Sequence, residues 1–374
     1  GRTEISGNHT DHNHGSVIAA SINLDTNAVA SENNDSIIII YSEGFNEPFE
    51  VSLDVLDPVK EEEGSTSALI RGIASRFKEL GFTIGGFNAY ITSNVLVGSG
   101  LSSSASIEVL IGTILNSIYN RNSVSPEMIA IIGQYAENNF FGKPCGLMDQ
   151  IACSVGGVIA IDFKDPQNPK ITKIDFDLSK EGYDLIIVNT GDDHADLTED
   201  YAAIPSEMNS VAKLLGGNVC RDISKDELYK NINDIRKTLG DRAVLRAMHF
   251  LDEQVRVEKQ IVALKENKFN EFLELVKQSG NSSFKLLQNI FSVNNPSIQG
   301  LSLALAITES FLQEKAIYGD NATRVHGGGF AGTIQVFLKK EFSDEYKNLL
   351  ESVFGDGSVK VLTIRSYGSF DFSS

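Results

Sequence analysis

Apolar positions change period along the chain, and each change marks an element. Ile37 to Tyr41 is a short continuous apolar run, the pattern of a buried strand, and a similar run, Val17-Ile18-Ala19-Ala20, lies upstream. From Phe49 to Val55, the residues Val51, Leu53 and Val55 alternate with Glu50, Ser52 and Asp54, which predicts a half-buried strand. Phe87 to Thr92 alternates in the same way, and 66–80 between them has a helical period. Ile107, Leu110, Ile111, Ile114, Leu115 and Ile118 are spaced three and four apart and mark one face of a helix. The next helix starts with Ser125 as N-cap and Pro126 in first position, carries Met128, Ile129, Ile132 and Tyr135 inward, and ends near Glu137-Asn138-Asn139.

Further strands are expected at Val158 to Phe163, 171–176, 183–189, 333–338 and 359–364. Residues 196–290 are mostly helical in pattern. They include a long helix capped by Asp241 with Val244, Met248, Leu251 and Val255 inside, and 298–314 forms another helix. The first fifteen residues read as a polar loop rich in His, Asp and Asn and framed by glycines. Strands and helices interleave without a regular doubly wound unit, so the class is α+β. The turn-rich break Lys164-Asp165-Pro166-Gln167-Asn168-Pro169 places a boundary between domains 1–176 and 177–374.

Composition narrows the function. The 374 residues contain 41% apolar residues, enough for a sizeable core, and carry a net charge of −18. That charge argues against a non-specific nucleic-acid or anionic-membrane partner. Three cysteines, Cys145, Cys153 and Cys220, without metal-ligand spacing, argue for a reducing, cytoplasmic compartment and against a disulfide framework. No apolar run is long enough to span a bilayer. Gly1 stands inside a motif-like stretch, so the expectation is that the natural chain has residues before it.

The stretch Gly98-Ser99-Gly100-Leu101-Ser102-Ser103-Ser104-Ala105-Ser106 joins the 87–92 strand to the following helix. A helix N-terminus offers free backbone N–H groups and the positive end of its dipole. Glycines let the backbone close on an anion, and serine hydroxyls add donors or a metal ligand. The reading is a cradle for nucleotide phosphates; the alternative is an ordinary serine cap. Asp149 lies between glycine-bearing turns, where a carboxylate can take a proton from a hydroxyl, or can be a solvated turn residue. Arg2 can hold a phosphoryl group or keep a nearby Asp ionised. Glu137 is a candidate Mg2+ ligand at a helix end, and His9 and Asp11 are candidates for binding hydroxyls or a metal, although their loop lacks the helical spacing of a zinc site. A second glycine loop, Arg324-Val325-His326-Gly327-Gly328-Gly329-Phe330-Ala331-Gly332, precedes the 333–338 strand.

Four of these segments, taken in order, resemble the GHMP small-molecule kinases and, within them, the galactokinases. Arg2 to Gly15 is similar to the galactokinase signature, Gly98 to Ser106 to the family's phosphate loop, Pro144 to Gln150 to its catalytic-base turn, and Gly327 to Gly332 to its third motif. Asp241-Arg242-Ala243, Arg246-Ala247-Met248-His249 and Glu253 resemble the family's middle helix. The resemblance implies a two-domain GHMP kinase fold with the active site in the cleft between domains. It also implies transfer of the ATP γ-phosphoryl group to the anomeric hydroxyl of D-galactose, with Mg2+.

In that reading Asp149 is the base and Arg2 stabilises both it and the transferring group. Gly98, Ser99, Gly100, Leu101, Ser102 and Ser103 wrap the phosphates, while Ser104, also in the phosphate loop, and Glu137 hold Mg2+. Asn8, His9, Asp11, Gly146 and Asp149 contact the sugar, as does Tyr201, which follows His194. The sequence departs from the pattern where Asn8 replaces the usual Glu, Glu4 the usual Asn, His12 the usual Tyr, and Val95 a common Pro. Thr66 stands near the usual aromatic residue of the nucleotide pocket, in a chain with no Trp. Losing a buried partner for a sugar hydroxyl costs on the order of 1–3 kcal/mol, so another sugar such as N-acetylgalactosamine is an alternative substrate. A sugar- and ATP-binding regulator without turnover is the alternative of a different class. Oligomeric state is not legible.

Overall fold

Polar and apolar runs fold into three four-stranded sheets flanked by ten α-helices in a computed structural model that describes residues 1–95, 100–143, 145–191, 197–317 and 319–372. The chain opens with β1 (Arg2–Ser6), β2 (Ser16–Ser21), β3 (Thr26–Glu32), β4 (Ile37–Ser42) and β5 (Phe49–Ser52), then α1 (Thr66–Glu79) and β6 (Phe87–Ser93). Three helices follow: α2 (Ser103–Asn120), α3 (Pro126–Ala136) and, after a π-helical turn over Glu137–Phe141, α4 (Met148–Val155). Next come β7 (Val158–Asp162), β8 (Lys170–Ile174), β9 (Tyr183–Asn189), α5 (Thr198–Leu214), α6 (Lys225–Leu239), α7 (Asp241–Lys265), α8 (Phe269–Ser282) and α9 (Gly300–Glu314). The chain closes with β10 (Ala322–His326), β11 (Thr333–Lys339), α10 (Ser343–Phe354) and β12 (Val359–Leu362).

The strand orders are β1-β2-β7-β8, β3-β6-β4-β5 and β10-β11-β9-β12. All pairs are antiparallel except β4 with β6. Alternation explains the second sheet. Ile38, Ile40, Val51, Phe87, Ala89 and Ile91 face inward onto Ile70, Ile73 and Phe77 of α1 and Val109, Ile111 and Leu115 of α2. The first and third sheets share another core. Ile5, Ile18, Val158 and Ala160 pack into one cluster with Leu185, Ile187, Phe272, Val276 and Phe337. The first two sheets use residues up to Ile174 and the third begins at Tyr183, so this cluster seals the early part of the chain against the late part. Among the described residues no helix is long and apolar enough to cross a membrane.

Several expectations are corrected. Arg2–Ser6 is a wholly buried strand, not a loop, because its polar side chains find partners inside the protein. β3 was not expected; its outward positions are polar or exposed, so no strong alternation marks it. Gly240, not Asp241, is the N-cap of α7; Asp241 is the first helical residue and pairs with Arg236 at 2.5 Å. Val255 is half exposed and Met248 and Leu251 are only partly buried, while Arg246, His249, Glu253 and Gln254 share the buried side of α7 with Ala243, Val244, Ala247, Phe250 and Val257. In α2, Ile107, Leu110 and Ile118 are only partly buried, and Glu108, Val109, Gly112 and Thr113 are buried as well, since α3 and α4 cover the helix on a second side.

The shared core generates one expectation. Phe337 is 1% exposed and meets Phe272 edge to face at 5.5 Å. Phe337→Ala is expected to destabilise the protein by about 3–5 kcal/mol, the range for emptying a buried aromatic site. A denaturant midpoint unchanged from wild type would contradict the role given to this cluster.

Candidate active site

β1 delivers Arg2 to the centre of the site. Its Nε and Nη2 donate to the two carboxylate oxygens of Asp149, each at 2.7 Å, and Nη1 donates to the Gly100 carbonyl at 2.6 Å. The backbone agrees, because the Arg2 N–H donates to the Leu101 carbonyl at 3.2 Å. Asp149 sits in the first turn of α4, where the dipole favours a carboxylate. Burial alone would raise its pKa, but the Arg2 guanidinium and the Ser102 hydroxyl hold it below the usual carboxylate value. Asp149 is therefore an ionised, oriented acceptor, with its side chain 31% exposed towards the site.

Ser102 occupies the N-cap position of α2 in a left-handed conformation, φ 62°. Its hydroxyl is diverted to Asp149 and does not cap the helix. The first amides of α2 are thus left without a side-chain cap, as an anion cradle requires. Gly100 is also left-handed, φ +70°, and lies over His326 and Thr333. Leu101 is fully buried and offers only its backbone, while Ser103 and Ser104 open α2. Gly98 and Ser99 lie outside the described residues, as do Pro144 and His194.

Ser104 Oγ donates to Glu137 Oε1 at 3.2 Å, and Lys143 Nζ is 3.7 Å from the same oxygen. Glu137 starts the π-helical turn and is 3% exposed, not a solvated helix face. A hydroxyl beside one carboxylate is an oxygen-only donor pair that suits Mg2+, an ion that takes few protein ligands and fills its shell with phosphate and water. Gln150 Nε2 donates at 2.9 Å both to Glu137 Oε2 and to Glu108 Oε2. Burial, then the Glu137 charge, pushes Glu108 well above the usual range, so Glu108 holds a proton that an exposed carboxyl would lose. Sequence reading missed Glu108; the available signal was a lone acid within the apolar period four residues after Ser104.

The signature loop after β1 meets the second glycine loop. Gly328 O accepts from His9 Nε2 at 2.8 Å, and Gly329 O accepts from the Tyr201 hydroxyl at 2.9 Å. A Cβ on Gly328 would lie 2.4 Å from the Tyr201 ring, and one on Gly146 would lie 2.4 Å from Asp11 Oδ2 and displace that carboxylate. Burial lowers His9 to about 4, which makes it a neutral ring. Burial raises the Tyr201 phenol to about 12. Asp11 thus meets Gly146, three residues before Asp149, while His9 and Tyr201 close onto the second glycine loop.

Asn8 is placed differently from its expected role. It is fully buried, and its Nδ2 donates to the Gly327 carbonyl at 2.6 Å and to Glu4 Oε1 at 3.1 Å. Its Oδ1 accepts from Asn289 at 2.8 Å and from Ser283 at 3.2 Å. The amide is saturated within the protein and keeps no hydrogen-bonding valence for a sugar. Glu4 in turn pairs with the fully buried Arg324 at 2.6 Å. His326 accepts the Glu4 N–H at Nε2, 3.2 Å, and lies 2.9 Å from Thr333 Oγ1 at Nδ1, so its proton sits on Nδ1. Burial and two nearby arginines keep it neutral. Arg324 and His326 were legible only as neighbours of a glycine loop.

Comparison with known proteins agrees with this arrangement. Residues 68–157 match the GHMP kinases N terminal domain, and residues 1–32 match the galactokinase galactose-binding signature. A galactokinase of Clostridium acetobutylicum is 30% identical over 358 residues, covering 92% of this chain and 85% of that protein. One from Glaesserella parasuis is 29% identical over 358 residues, covering 94% and 86%. The crystal structure of Lactococcus lactis galactokinase complexed with galactose superposes with a TM-score of 0.81 at 25% identity, covering 98% of this chain and 92% of the other. An arginine-clamped carboxylate beside an uncapped helix start is what phosphoryl transfer to a hydroxyl needs, and by these likenesses the chain belongs to the galactokinase family of GHMP kinases.

Proposed function

We propose that the protein phosphorylates D-galactose at its anomeric hydroxyl, using ATP and Mg2+ and releasing galactose 1-phosphate and ADP. The observation that carries this reading is the Arg2–Asp149 pair, which hangs from the Gly100 carbonyl at the mouth of α2. Residues 1–176 and 177–374 are taken as the two lobes, with the cleft between them holding the reaction. The free thiols of Cys145, Cys153 and Cys220 fit a cytoplasmic setting.

Asp149 accepts a hydrogen bond from the anomeric hydroxyl and turns the oxygen towards the γ-phosphorus. As the new O–P bond forms and the bond to the β-phosphate bridging oxygen breaks, the hydroxyl proton becomes acidic and passes to Asp149. A carboxylate held at low pKa is a weak base, so most of its contribution is orientation and a late proton transfer. Arg2 keeps Asp149 charged, and its guanidinium edge faces the phosphate loop, where negative charge moves during transfer. Gly100 to Ser103 present backbone N–H groups to the phosphates. Ser104 and Glu137 would hold Mg2+, which would neutralise phosphate charge as the phosphoryl group is transferred. His9, Asp11, Gly146 and Tyr201 shape the sugar pocket; Asn8 fixes the loop behind them. A kinase of another sugar is the second reading, favoured by the neutral and fully engaged Asn8.

ADP release with Mg-ATP across a sugar panel tests the reading. Galactose is expected to have the highest kcat/KM, and no release with any hexose would overturn it. Asp149→Asn is expected to keep sugar binding while lowering turnover at least about a hundredfold; titration calorimetry beside a coupled assay separates the two. Arg2→Met removes the opposing charge and leaves the burial of Asp149 uncompensated, so its carboxyl holds a proton to higher pH. The acidic limb of the kcat/KM profile is expected to move upward in pH in that variant, and an unmoved limb would show that Arg2 does not set the ionisation of Asp149.

A further inference from the structure

A cavity of ≈ 520 Å³ lies away from the Arg2–Asp149 site, between α7, α8 and the segment leading into α6. Its volume is that of a small-molecule site. Four cations line it, Arg221, Lys225, Arg256 and Lys259, against a single lining acid, Asp252. Three of the four are paired with carboxylates, so the surplus positive charge is that of Lys259, in a chain of net charge −18. Lys225 pairs with Asp252 at 2.6 Å, Arg221 with Asp162 at 3.2 Å, and Arg256 with Glu253. Lys259 makes no ion pair among the described residues. Phe250, Leu275 and Val255 give the wall an apolar part, and Gln254 and Gln278 add polar surface. Val255 is the residue whose exposure the hydrophobic period of α7 failed to predict; it faces this cavity.

The same residues hold the signature loop from behind. Arg221 donates to the His14 carbonyl at 3.2 Å, and Gln254 accepts the Ser16 N–H at 2.8 Å. Arg256 neutralises the fully buried Glu253, whose Oε1 accepts the Gly7 N–H at 3.2 Å and the Ser6 hydroxyl at 3.3 Å. The front of that loop carries His9 and Asp11. An arginine drawn into the cavity would leave Glu253 a buried carboxylate without its nearest cation and loosen the anchor of Gly7.

We propose that this cavity binds a small phosphomonoester, its phosphoryl group held by Lys259, Lys225 and the two arginines and its carbon skeleton against Val255 and Leu275, and that the bound ester weakens the sugar site through Arg256 and Glu253. The binding site itself stands apart from the sugar kinase reading, and its effect on the sugar loop rests on that reading with galactose as substrate. The test titrates the full chain with glucose 6-phosphate and, separately, with inorganic phosphate, by calorimetry, with the catalytic cleft filled by galactose and a non-hydrolysable ATP analogue. Saturable binding is expected in wild type, weaker by about tenfold or more in Lys259→Glu, as expected for loss of a charge-assisted contact. Without ester, Lys259→Glu and the milder Lys259→Gln are expected to turn over like wild type; with ester, the galactose KM is expected to rise in wild type and stay constant in Lys259→Glu. Absence of saturable binding in wild type, or equal binding in both variants, would overturn the site. Equal affinity for inorganic phosphate would overturn the role of the apolar wall, and binding without a change in KM would overturn the link to the sugar loop. Turnover of the same samples without ester reports separately on the kinase activity.

Discussion

One guanidinium holds the reaction centre together. Arg2 grips both oxygens of Asp149 and the carbonyl of Gly100, residues 147 and 98 positions away in the chain. A buried arginine is tolerable only when its donors are paired, and a fork-to-fork pair with a carboxylate fixes distance and orientation together. The strand that starts the sheet order, the loop that starts α2 and the first turn of α4 are therefore set against one another by a single side chain. Ser102 completes the arrangement by giving its hydroxyl to the same carboxylate, which leaves the helix amides free.

Around this centre runs a seam of buried polar contacts between early and late parts of the chain. β1 is tied to β10 through Arg324 and His326, to β11 through Gln335, and the turn after it to α7 through Glu253 and His249. Such networks stabilise little when complete but penalise every alternative in which a member loses its partner. The shared apolar core drives association of the sheets, and the polar seam selects one arrangement of them. The site therefore depends on the seam as much as on the residues that touch substrate.

Periodicity made most of the scaffold legible, because α1, α3, β6, β7 and β9 bury apolar side chains at the spacing that their geometry dictates. It failed where burial is polar. β1 carries Arg2, Thr3, Glu4 and Ser6 into the interior, and no hydropathy pattern marks a strand whose side chains are satisfied by ion pairs. In α7 the buried face mixes Arg246, His249, Glu253 and Gln254 with apolar residues, so an apolar period alone placed Val255 inside. Asp149, Arg2, Ser104 and Glu137 were identifiable by motif order; Ser102 and Gln150 lay inside the same motifs without their bonds to carboxylates being legible, and Glu108 sits in the apolar period of a helix. Asn8 shows the limit of motif reading: position in a signature indicates neighbourhood, while the hydrogen-bond valences of a side chain decide what it can still touch.

The Glu4–Asn8–Arg324 cluster has a consequence for how this sequence can drift. The galactokinase pattern that the sequence resembles has an amide at position 4 and an acid at position 8, whereas here the acid stands at 4 and the amide at 8. An intermediate with two acids would crowd two negative charges onto one arginine, and one of them would have to take a proton. An intermediate with two amides would strand a fully buried arginine, at a cost on the order of 3–5 kcal/mol. Glu4, Asn8 and Arg324 therefore form one electrostatic unit, in which a change at either partner of the cation is felt by the other.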